Sequence, residues 1–239
     1  MTKNLSKLKI LSGSMLKLIA VITMLIDHTA YLLAPYIPLM ITPIFNLGSH
    51  TITLYYIMRR IGRLSFPIFC FLISEGFYHT RSPKRYAFNL SLFALISEIP
   101  YNFMRGGHLL YPKTQNIFFT LLLGVLMIYI YKNIKNGLFQ VVLMLFVAAI
   151  AVIIKSDYGL FGTLLILFMY VLRDRPTART ILAFPLLSGG YSALMAFIPI
   201  NMYNGNRGFI KSGIVKYIFY IFYPLHITIL IIIRFFLKQ

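Results

Sequence analysis

Two ionisable residues, Asp27 and His28, stand side by side in an otherwise apolar run at residues 24–32, MLIDHTAYL. The chain holds only five acidic residues and five histidines. An ionisable group at the centre of a membrane helix costs at least about 2.5–3.5 kcal/mol, so such residues face the protein interior and usually serve function. Histidine is the natural general base near neutral pH. We predict that His28 is a catalytic base, against the alternative of a hydrogen-bonded structural histidine.

Lys17 lies eleven residues before His28 on the same predicted helix. At 100° per residue the two side chains fall within about 20° of one face, separated by about 16 Å along the axis. Asp27 is on an adjacent face and cannot stack over its neighbour. Its carboxylate could pair with a basic residue of another helix, or His28 could take its orienting carboxylate from elsewhere.

A second group of ionisable residues follows on the next predicted span, where Glu75 and His79 have i,i+4 spacing and share a face. No HExxH or similar zinc signature is present, so no metal is expected. The loop that follows carries Arg81, Lys84 and Arg85. These three cations either anchor the helix at the membrane surface or clamp the phosphates of a nucleotide-like cofactor, and the spacing does not separate these alternatives.

Three polar residues also mark two helix ends where an acceptor hydroxyl or amine could bind. They are Glu98 and Asn102 toward the outer end of the third predicted span, and Asn116 at the start of the fourth. Helix capping explains Asn116 equally well. In the last predicted span, Pro224 removes a backbone hydrogen bond beside Tyr223 and His226, which often accompanies a cavity.

The composition restricts the class of protein. Of 239 residues, 59% are hydrophobic and 12% charged, and the mean hydropathy is +0.80. A soluble domain this apolar could not cover its surface, so the sequence predicts an integral membrane protein. The net charge of +18 fits basic flanks that orient spans and meet anionic lipid head groups, and nucleic acid is not an expected partner.

A membrane-crossing helix needs roughly 20 apolar residues. We predict an all-α, polytopic membrane protein forming a single domain over residues 1–239. Its eight predicted spans are 15–35, 63–80, 86–104, 116–132, 138–154, 159–173, 180–198 and 214–237. Residues 36–58 are broken by prolines and a polar cluster, and are predicted to form an outer loop with an interfacial or re-entrant piece.

The distribution of Lys and Arg sets the expected orientation. With the N-terminus in the cytoplasm, fourteen basic residues lie on the cytoplasmic side and nine on the other. This bias favours placing both termini in the cytoplasm. Arg60 and Arg63 are among the basic residues left outside, where they could serve a site.

Several segments together resemble the TraX family of conjugation-associated membrane proteins, implicated in N-terminal acetylation of pilin. The segments are LKLIAVITMLIDHTAYLL, MRRIGRLSFPIFCFLISEGFYHTRSPKRYAFNLSLFALISEIPYN, TQNIFFTLLLGV, DYGLFGTLLI and FYIFYPLHI. The resemblance extends to the acyltransferase 3-like membrane enzymes, in which a basic residue, ten residues and a histidine mark the catalytic helix. Lys17 and His28 match that spacing, while Ser74-Glu75-Gly76 carries an acid absent from the Ser-Gly pattern of those enzymes.

The resemblance implies transfer of an acyl group from cytosolic acetyl-CoA, or another acyl-CoA, to an amine or hydroxyl of a pilin, peptide or glycan at the bacterial inner membrane. On this interpretation His28 is the base, and Asp27 or Glu75 orients it. The acyl-CoA is bound by basic and histidine side chains, and the acceptor by residues nearer the outer side. The donor set is Lys17, His79, Arg81, Lys84 and Arg85. The acceptor set is Arg60, Arg63, Glu98, Asn102, Asn116, Tyr223 and His226.

Two other functions fit the buried charges. A proton-coupled transporter or channel would also use Asp, Glu and His within spans, although it predicts inverted repeats that the sequence lacks. A non-catalytic membrane scaffold predicts that these residues serve stability alone.

Overall fold

The computed structural model describes residues 9–48, 50–187, 189–210 and 215–238. The chain forms two compact units, a terminal unit made of Met1–Ile68 with Tyr191–Gln239 and a central unit made of Phe69–Gly190. The prediction of one polytopic domain over residues 1–239 stays a prediction.

The described residues are mainly helical, with one small hairpin. In chain order the elements are α1 (Gly13–Leu33), a 3-10 turn (Ala34–Tyr36), α2 (Pro38–Ile41), β1 (Pro43–Leu47), β2 (His50–Thr53), α3 (Leu54–Gly62), α4 (Ser65–His79), α5 (Pro83–Gly106), α6 (Ile117–Asn133), α7 (Gly137–Ile153), α8 (Gly159–Val171), α9 (Pro176–Ala183), a 3-10 turn (Phe184–Leu186), α10 (Gly190–Leu194), α11 (Phe197–Asn201) and α12 (Val215–Leu237). The all-α class is confirmed at this coarse level.

Residues 36–58 form no membrane-length helix in the part that the structure describes. They comprise the short α2, the antiparallel hairpin β1–β2 and the start of α3. The prolines predict this interruption because each lacks a backbone N–H. The hairpin itself was not predicted. Its turn includes Gly48, whose φ of 60° lies in the left-handed region that glycine tolerates best.

Seven of the eight predicted spans coincide with helices whose ends lie within about three residues of the prediction. The predicted span 180–198 is wrong as a continuous helix. Pro185 and the left-handed Gly190 interrupt it, leaving α9, a 3-10 turn and α10. By length and composition, two segments of the described chain could cross a membrane, Gly13–Tyr36 and Tyr217–Leu237, and α6, α7 and α8 are shorter apolar helices.

The exposed surface of α7 supports a membrane environment. Leu138 is 79% exposed, Ile153 75% and Phe146 64%, and most other large apolar residues of this helix are exposed as well. Soluble monomers rarely expose a contiguous apolar helix face to water, whereas lipid can cover such a face without cost. The helices are therefore those of a membrane protein.

In the terminal unit, α1 and α12 pack against each other and run in the same direction. Lys17 of α1 lies over Phe219, and His28 further along α1 meets His226 further along α12. The chain before α12 also pairs with the start of α1, because the amides of Gly13 and Ser14 donate to carbonyls of residues 206 and 207. Two parallel helices that both cross a membrane end on the same side. If α1 and α12 both cross once, the number of crossings is odd, and eight spans with two cytoplasmic termini stay a prediction.

Helix α3 returns antiparallel to α1. Asp27 of α1 meets Arg59 of α3, while Ala20, two turns earlier on α1, accepts a hydrogen bond from Ser65 at the start of α4. Gly62 makes the approach close, since a Cβ atom at this position would overlap the Asp27 side chain. In the central unit, α6 packs against α5, α7 and α8.

Candidate functional site

A polar cluster joins α1 and α12 inside the terminal unit. Nδ1 of His28 lies 2.7 Å from Nε2 of His226. The two imidazole rings are within 6° of parallel, with centroids 5.0 Å apart. The Tyr223 ring meets both imidazoles edge-on, with centroid distances of 6.0 Å to His28 and 5.9 Å to His226. The structure therefore brings together three of the predicted site residues.

Helix α12 holds His226 from two sides. Nδ1 of His226 lies 2.6 Å from the carbonyl oxygen of Phe222, one turn earlier, and the Phe222 ring stacks on the imidazole at 4.7 Å between centroids. His226 is only 5% exposed. Pro224 lies within this turn and removes one backbone donor from the helix. These contacts within α12 fix the orientation of the His226 ring independently of its contact with α1.

Lys17 lies on the face of α1 that packs against α12. Its Nζ is 5.5 Å from the centroid of the Phe219 ring, and Arg207 is a nearby cation. A desolvated ammonium over an aromatic face is stabilised by the ring quadrupole. Lys17 and His28 therefore both face α12, as the 100° spacing predicts.

Asp27 forms an ion pair with Arg59 of α3. Nη1 of Arg59 donates to Oδ2 of Asp27 at 2.6 Å, and the guanidinium also lies 5.4 Å from the centroid of the Tyr31 ring. The other carboxylate oxygen, Oδ1, is buried, and none of the residues that the structure describes donates a hydrogen bond to it. Of the two roles predicted for Asp27, the structure provides the pairing with a basic residue of another helix.

Arg60 and Arg63 lie at the end of α3. The guanidinium of Arg60 is 4.8 Å from the centroid of the Tyr56 ring, and its Nη1 is 3.4 Å from Oγ of Ser192. Arg63 is half-buried and follows the last residue of the helix. Neither has a carboxylate within ion-pair distance among the described residues.

In the central unit, Glu75 is engaged by Arg173. Nε and Nη2 of Arg173 donate to the two carboxylate oxygens at 2.6 and 3.3 Å, and this hydrogen bonding raises the pKa of Arg173. His79 lies farther from the same carboxylate, at 3.6 Å. Arg179 is 5% exposed, and its Nη1 donates to the backbone carbonyl of Arg173 at 3.4 Å. Glu75 is therefore the anionic centre of an arginine cluster.

Three cations of the predicted donor site, Arg81, Lys84 and Arg85, are exposed at the start of α5. Oγ of Ser82 caps this helix by accepting a hydrogen bond from the backbone N–H of Arg85 at 3.4 Å. Amide N–H groups at a helix N-terminus and arginine side chains both favour phosphate. The surface thus suits an anionic ligand.

The predicted acceptor residues Glu98, Asn102 and Asn116 lie in the central unit, where two of them are in contact. Nδ2 of Asn116 donates to Oε2 of Glu98 at 2.6 Å, and its Oδ1 caps α6 by accepting from the Phe118 amide. Asn102 donates to the carbonyl of Leu109. The hydroxyl of Tyr101, a residue that the sequence analysis missed, lies 3.0 Å from Oγ1 of Thr114 and 3.3 Å from Oδ1 of Asp157.

Arg59, Arg173 and Arg179 were not predicted as partners of buried groups. A signal was available for Arg59, because three arginines lie within five residues on the side predicted to be outside, more than orientation requires. The described part of the chain contains no group of three or more His, Cys, Asp or Glu placed to hold a metal ion.

Comparisons with known proteins identify the family of this chain. The family model described as TraX protein matches residues 12–234. A relative from Dichelobacter nodosus, described as a probable fimbrial assembly protein FimC of serogroup H1, is 28% identical over 255 residues, covering 95% of this chain and 97% of its own length. No solved structure matches. Because the family model covers almost the whole chain, this protein belongs to the TraX family.

Proposed function

We propose that the protein is a membrane-embedded acyltransferase that moves an acetyl or other acyl group from cytosolic acyl-CoA to an amine or hydroxyl acceptor. The observation that supports this most directly is the meeting of His28 with His226 and Tyr223 between two apolar helices. Burying a basic side chain in a membrane helix costs free energy, so such residues usually serve a function. The resemblance to acyltransferase 3-like enzymes, which rests on Lys17 and His28, supports the same reaction.

In this mechanism the imidazole of His28 removes a proton from the acceptor as its nitrogen or oxygen attacks the thioester carbonyl. The carbon–sulfur bond then breaks, and the CoA thiolate leaves with the proton returned by His28. A positioned general base of this kind contributes typically 10²–10⁴-fold in rate. No covalent enzyme intermediate is needed.

The donor side is assigned to basic residues. Lys17 precedes the base by about three helical turns on the same face of α1. The exposed Arg81, Lys84 and Arg85, with His79 nearby in sequence, offer the cations and helix N-terminus that CoA phosphates require. Glu75 holds the arginine cluster in the central unit, so its proposed role is structural support of this basic region rather than orientation of the base.

The acceptor is proposed to approach from the opposite side. Arg60 and Arg63 of the terminal unit, and Glu98, Asn102 and Asn116 of the central unit, are the residues proposed to bind it. The Dichelobacter relative is described as a probable fimbrial assembly protein, which favours a fimbrial or pilin-like subunit with a free N-terminal amine as acceptor. A glycan hydroxyl is the alternative.

The protein is proposed to reside in the bacterial cytoplasmic membrane, with lipids as constant partners and its N-terminus in the cytoplasm. If α1 and α12 run parallel and both cross the membrane, the total number of crossings must be odd. Seven are obtained if α1, α3 with α4, α5, α6, α7, α8 and α12 each cross once, and if the broken segment 176–201 enters and returns.

The function is testable with protein purified in lipid nanodiscs and radiolabelled acetyl-CoA. The acceptor probe is an apolar peptide with a free N-terminal amine, and the same peptide with a blocked N-terminus serves as control. We expect label on the free peptide only. His28→Gln should lower kcat by at least about 100-fold, and Lys17→Met should raise KM for acetyl-CoA, while the exposed Lys9→Met leaves both unchanged.

Each alternative function has its own outcome in this assay. Full transfer by His28→Gln would rule out His28 as the base. Absence of acetyl-CoA binding by the wild-type protein would exclude the acyltransferase and leave a scaffold. Proton uptake into proteoliposomes in the absence of acyl-CoA would instead indicate a transporter.

A further inference from the structure

The contact between His28 and His226 indicates which of their ring nitrogens carry a proton. A carbonyl oxygen can only accept a hydrogen bond, so the 2.6 Å contact with Phe222 requires a proton on Nδ1 of His226. A neutral imidazole carries one N–H, which leaves Nε2 of His226 as an acceptor. The 2.7 Å contact then requires that Nδ1 of His28 is the donor. In the neutral ring of His28, the lone pair consequently lies on Nε2.

We infer that His226 is the positioning residue of His28: it fixes the Nδ1–H tautomer and the ring plane, and so makes Nε2 of His28 the basic nitrogen. The catalytic role in this assignment rests on the proposed function, whereas the tautomer of His28 does not depend on it. This positioning role replaces the acceptor-binding role that the resemblance implies for His226. It also replaces the orienting role predicted for Asp27, which is held by Arg59.

A histidine partner suits this location better than a carboxylate does. Both helices are apolar, and a neutral imidazole pair avoids the desolvation cost of a buried anion. The orientation does not depend on the partner's charge, because the Phe222 carbonyl and the stacked Phe222 ring already fix the His226 ring. Second partners of this kind set the tautomer and direction of a functional histidine in many sites.

The proton balance of the proposed reaction is complete with these two rings. The acceptor's proton goes to Nε2 of His28, which becomes an imidazolium. Its Nδ1 proton remains directed at Nε2 of His226, so the positive charge is shared along the pair toward the Phe222 carbonyl. Return of the Nε2 proton to the CoA thiolate restores the neutral pair, with no oxidant or cofactor required.

The tautomer can be measured without any enzymatic assay. The chain has five histidines, so ¹⁵N-histidine NMR of the protein in nanodiscs resolves five imidazoles that single substitutions assign. At about pH 8, above the ordinary histidine pKa of about 6.5, we expect Nδ1 of His28 as an N–H nitrogen and Nε2 as a bare one. His226→Phe should change this pattern to a mixture or to the Nε2–H form. The exposed His108→Phe should leave it unchanged.

A second variant separates positioning from folding. In His226→Gln, the side-chain oxygen can accept from His28 and the NH₂ group can donate to the Phe222 carbonyl, so the His28 tautomer should be retained. For acetyl transfer we expect His226→Phe to lower kcat roughly 10- to 100-fold with little change in KM for acetyl-CoA. His226→Gln should recover most of that loss.

The two proposals fail in different ways. A wild-type His28 in the Nε2–H form, or a tautomer unaffected in a folded His226→Phe variant, would overturn the positioning role whatever the activity. The expected tautomers together with a complete absence of acetyl transfer would instead refute the proposed function and leave the histidine pair as a structural fact. A fall in kcat that His226→Gln does not rescue, despite a retained tautomer, would also contradict the inference.

Discussion

At the scale of single residues, the Asp27–Arg59 ion pair tests how much a paired buried charge contributes to the free energy of unfolding. Both side chains are about one-fifth exposed and 2.6 Å apart. Removing one partner of a buried pair leaves an uncompensated charge, which costs about 3–5 kcal/mol. We expect Arg59→Met to lower the free energy of unfolding by about 3 kcal/mol, measured by titration with a denaturing detergent.

The neighbouring arginine provides the control for this prediction. Arg60 has a single long hydrogen bond and no carboxylate partner among the described residues, so Arg60→Met should change the unfolding free energy by less than about 0.5 kcal/mol. Adding Asp27→Asn to Arg59→Met should restore part of the lost stability. Equal losses in the two arginine variants would mean that the ion pair contributes no more than an exposed contact.

Some of these residues could be predicted from the sequence and some could not. The 100° rotation per residue is a local property, so it correctly places Lys17 and His28 on one face. The partner of Asp27 lies 32 positions away and that of His28 lies 198 positions away. Helical periodicity shows which face of a helix is polar, but it contains no information about which other helix packs against that face.

At the scale of helices, the packing of α6 on α8 depends on Gly124. A Cβ atom added there would lie 2.8 Å from Cβ of Ile166, which is itself fully buried. Because Cβ atoms cannot rotate away, the helices would have to separate. We expect Gly124→Ala to lower the thermal unfolding temperature by several degrees, despite the higher helix propensity of alanine.

Gly137 at the start of α7 is the matched control, because a Cβ atom there meets nothing within 4 Å. Gly137→Ala should leave the unfolding temperature unchanged or raise it slightly. A stabilising effect of Gly124→Ala would show that α6 and α8 do not approach as closely as the structure has them.

Helix positions were predictable because apolar stretches and their caps are local features. Capping, for example, was one of the two roles considered for Asn116, and its Oδ1 does accept a hydrogen bond from the Phe118 amide. The prediction of a continuous helix over 180–198 was wrong because it relied on mean apolarity. Pro185 and Gly190 interrupt the helical backbone there. Apolarity measures the preference of a segment for lipid. The continuity of a helix depends instead on every residue adopting helical backbone angles.

At the scale of the whole molecule, the parallel direction of α1 and α12 changes the expected orientation. In the seven-crossing arrangement, the basic residues just before α12 move to the side of the N-terminus, while Arg234 and Lys238 move to the other side. By position in the sequence, fifteen of the 23 Lys and Arg then lie on the N-terminal side and eight on the other. The positive-inside bias becomes stronger than with eight spans, so charge and packing agree.

This arrangement predicts that the two ends of the chain lie on opposite sides of the membrane. In a Cys70→Ser background, which removes the one native cysteine, single cysteines at Ser82 and Lys238 can be labelled with a membrane-impermeant maleimide. We expect labelling of Lys238→Cys in intact cells, and of Ser82→Cys only after permeabilisation. Lys9→Cys serves as the control for the N-terminal side and should behave like Ser82→Cys. If Lys238→Cys also required permeabilisation, the number of crossings would be even, and α1 and α12 could not both cross the membrane in the same direction.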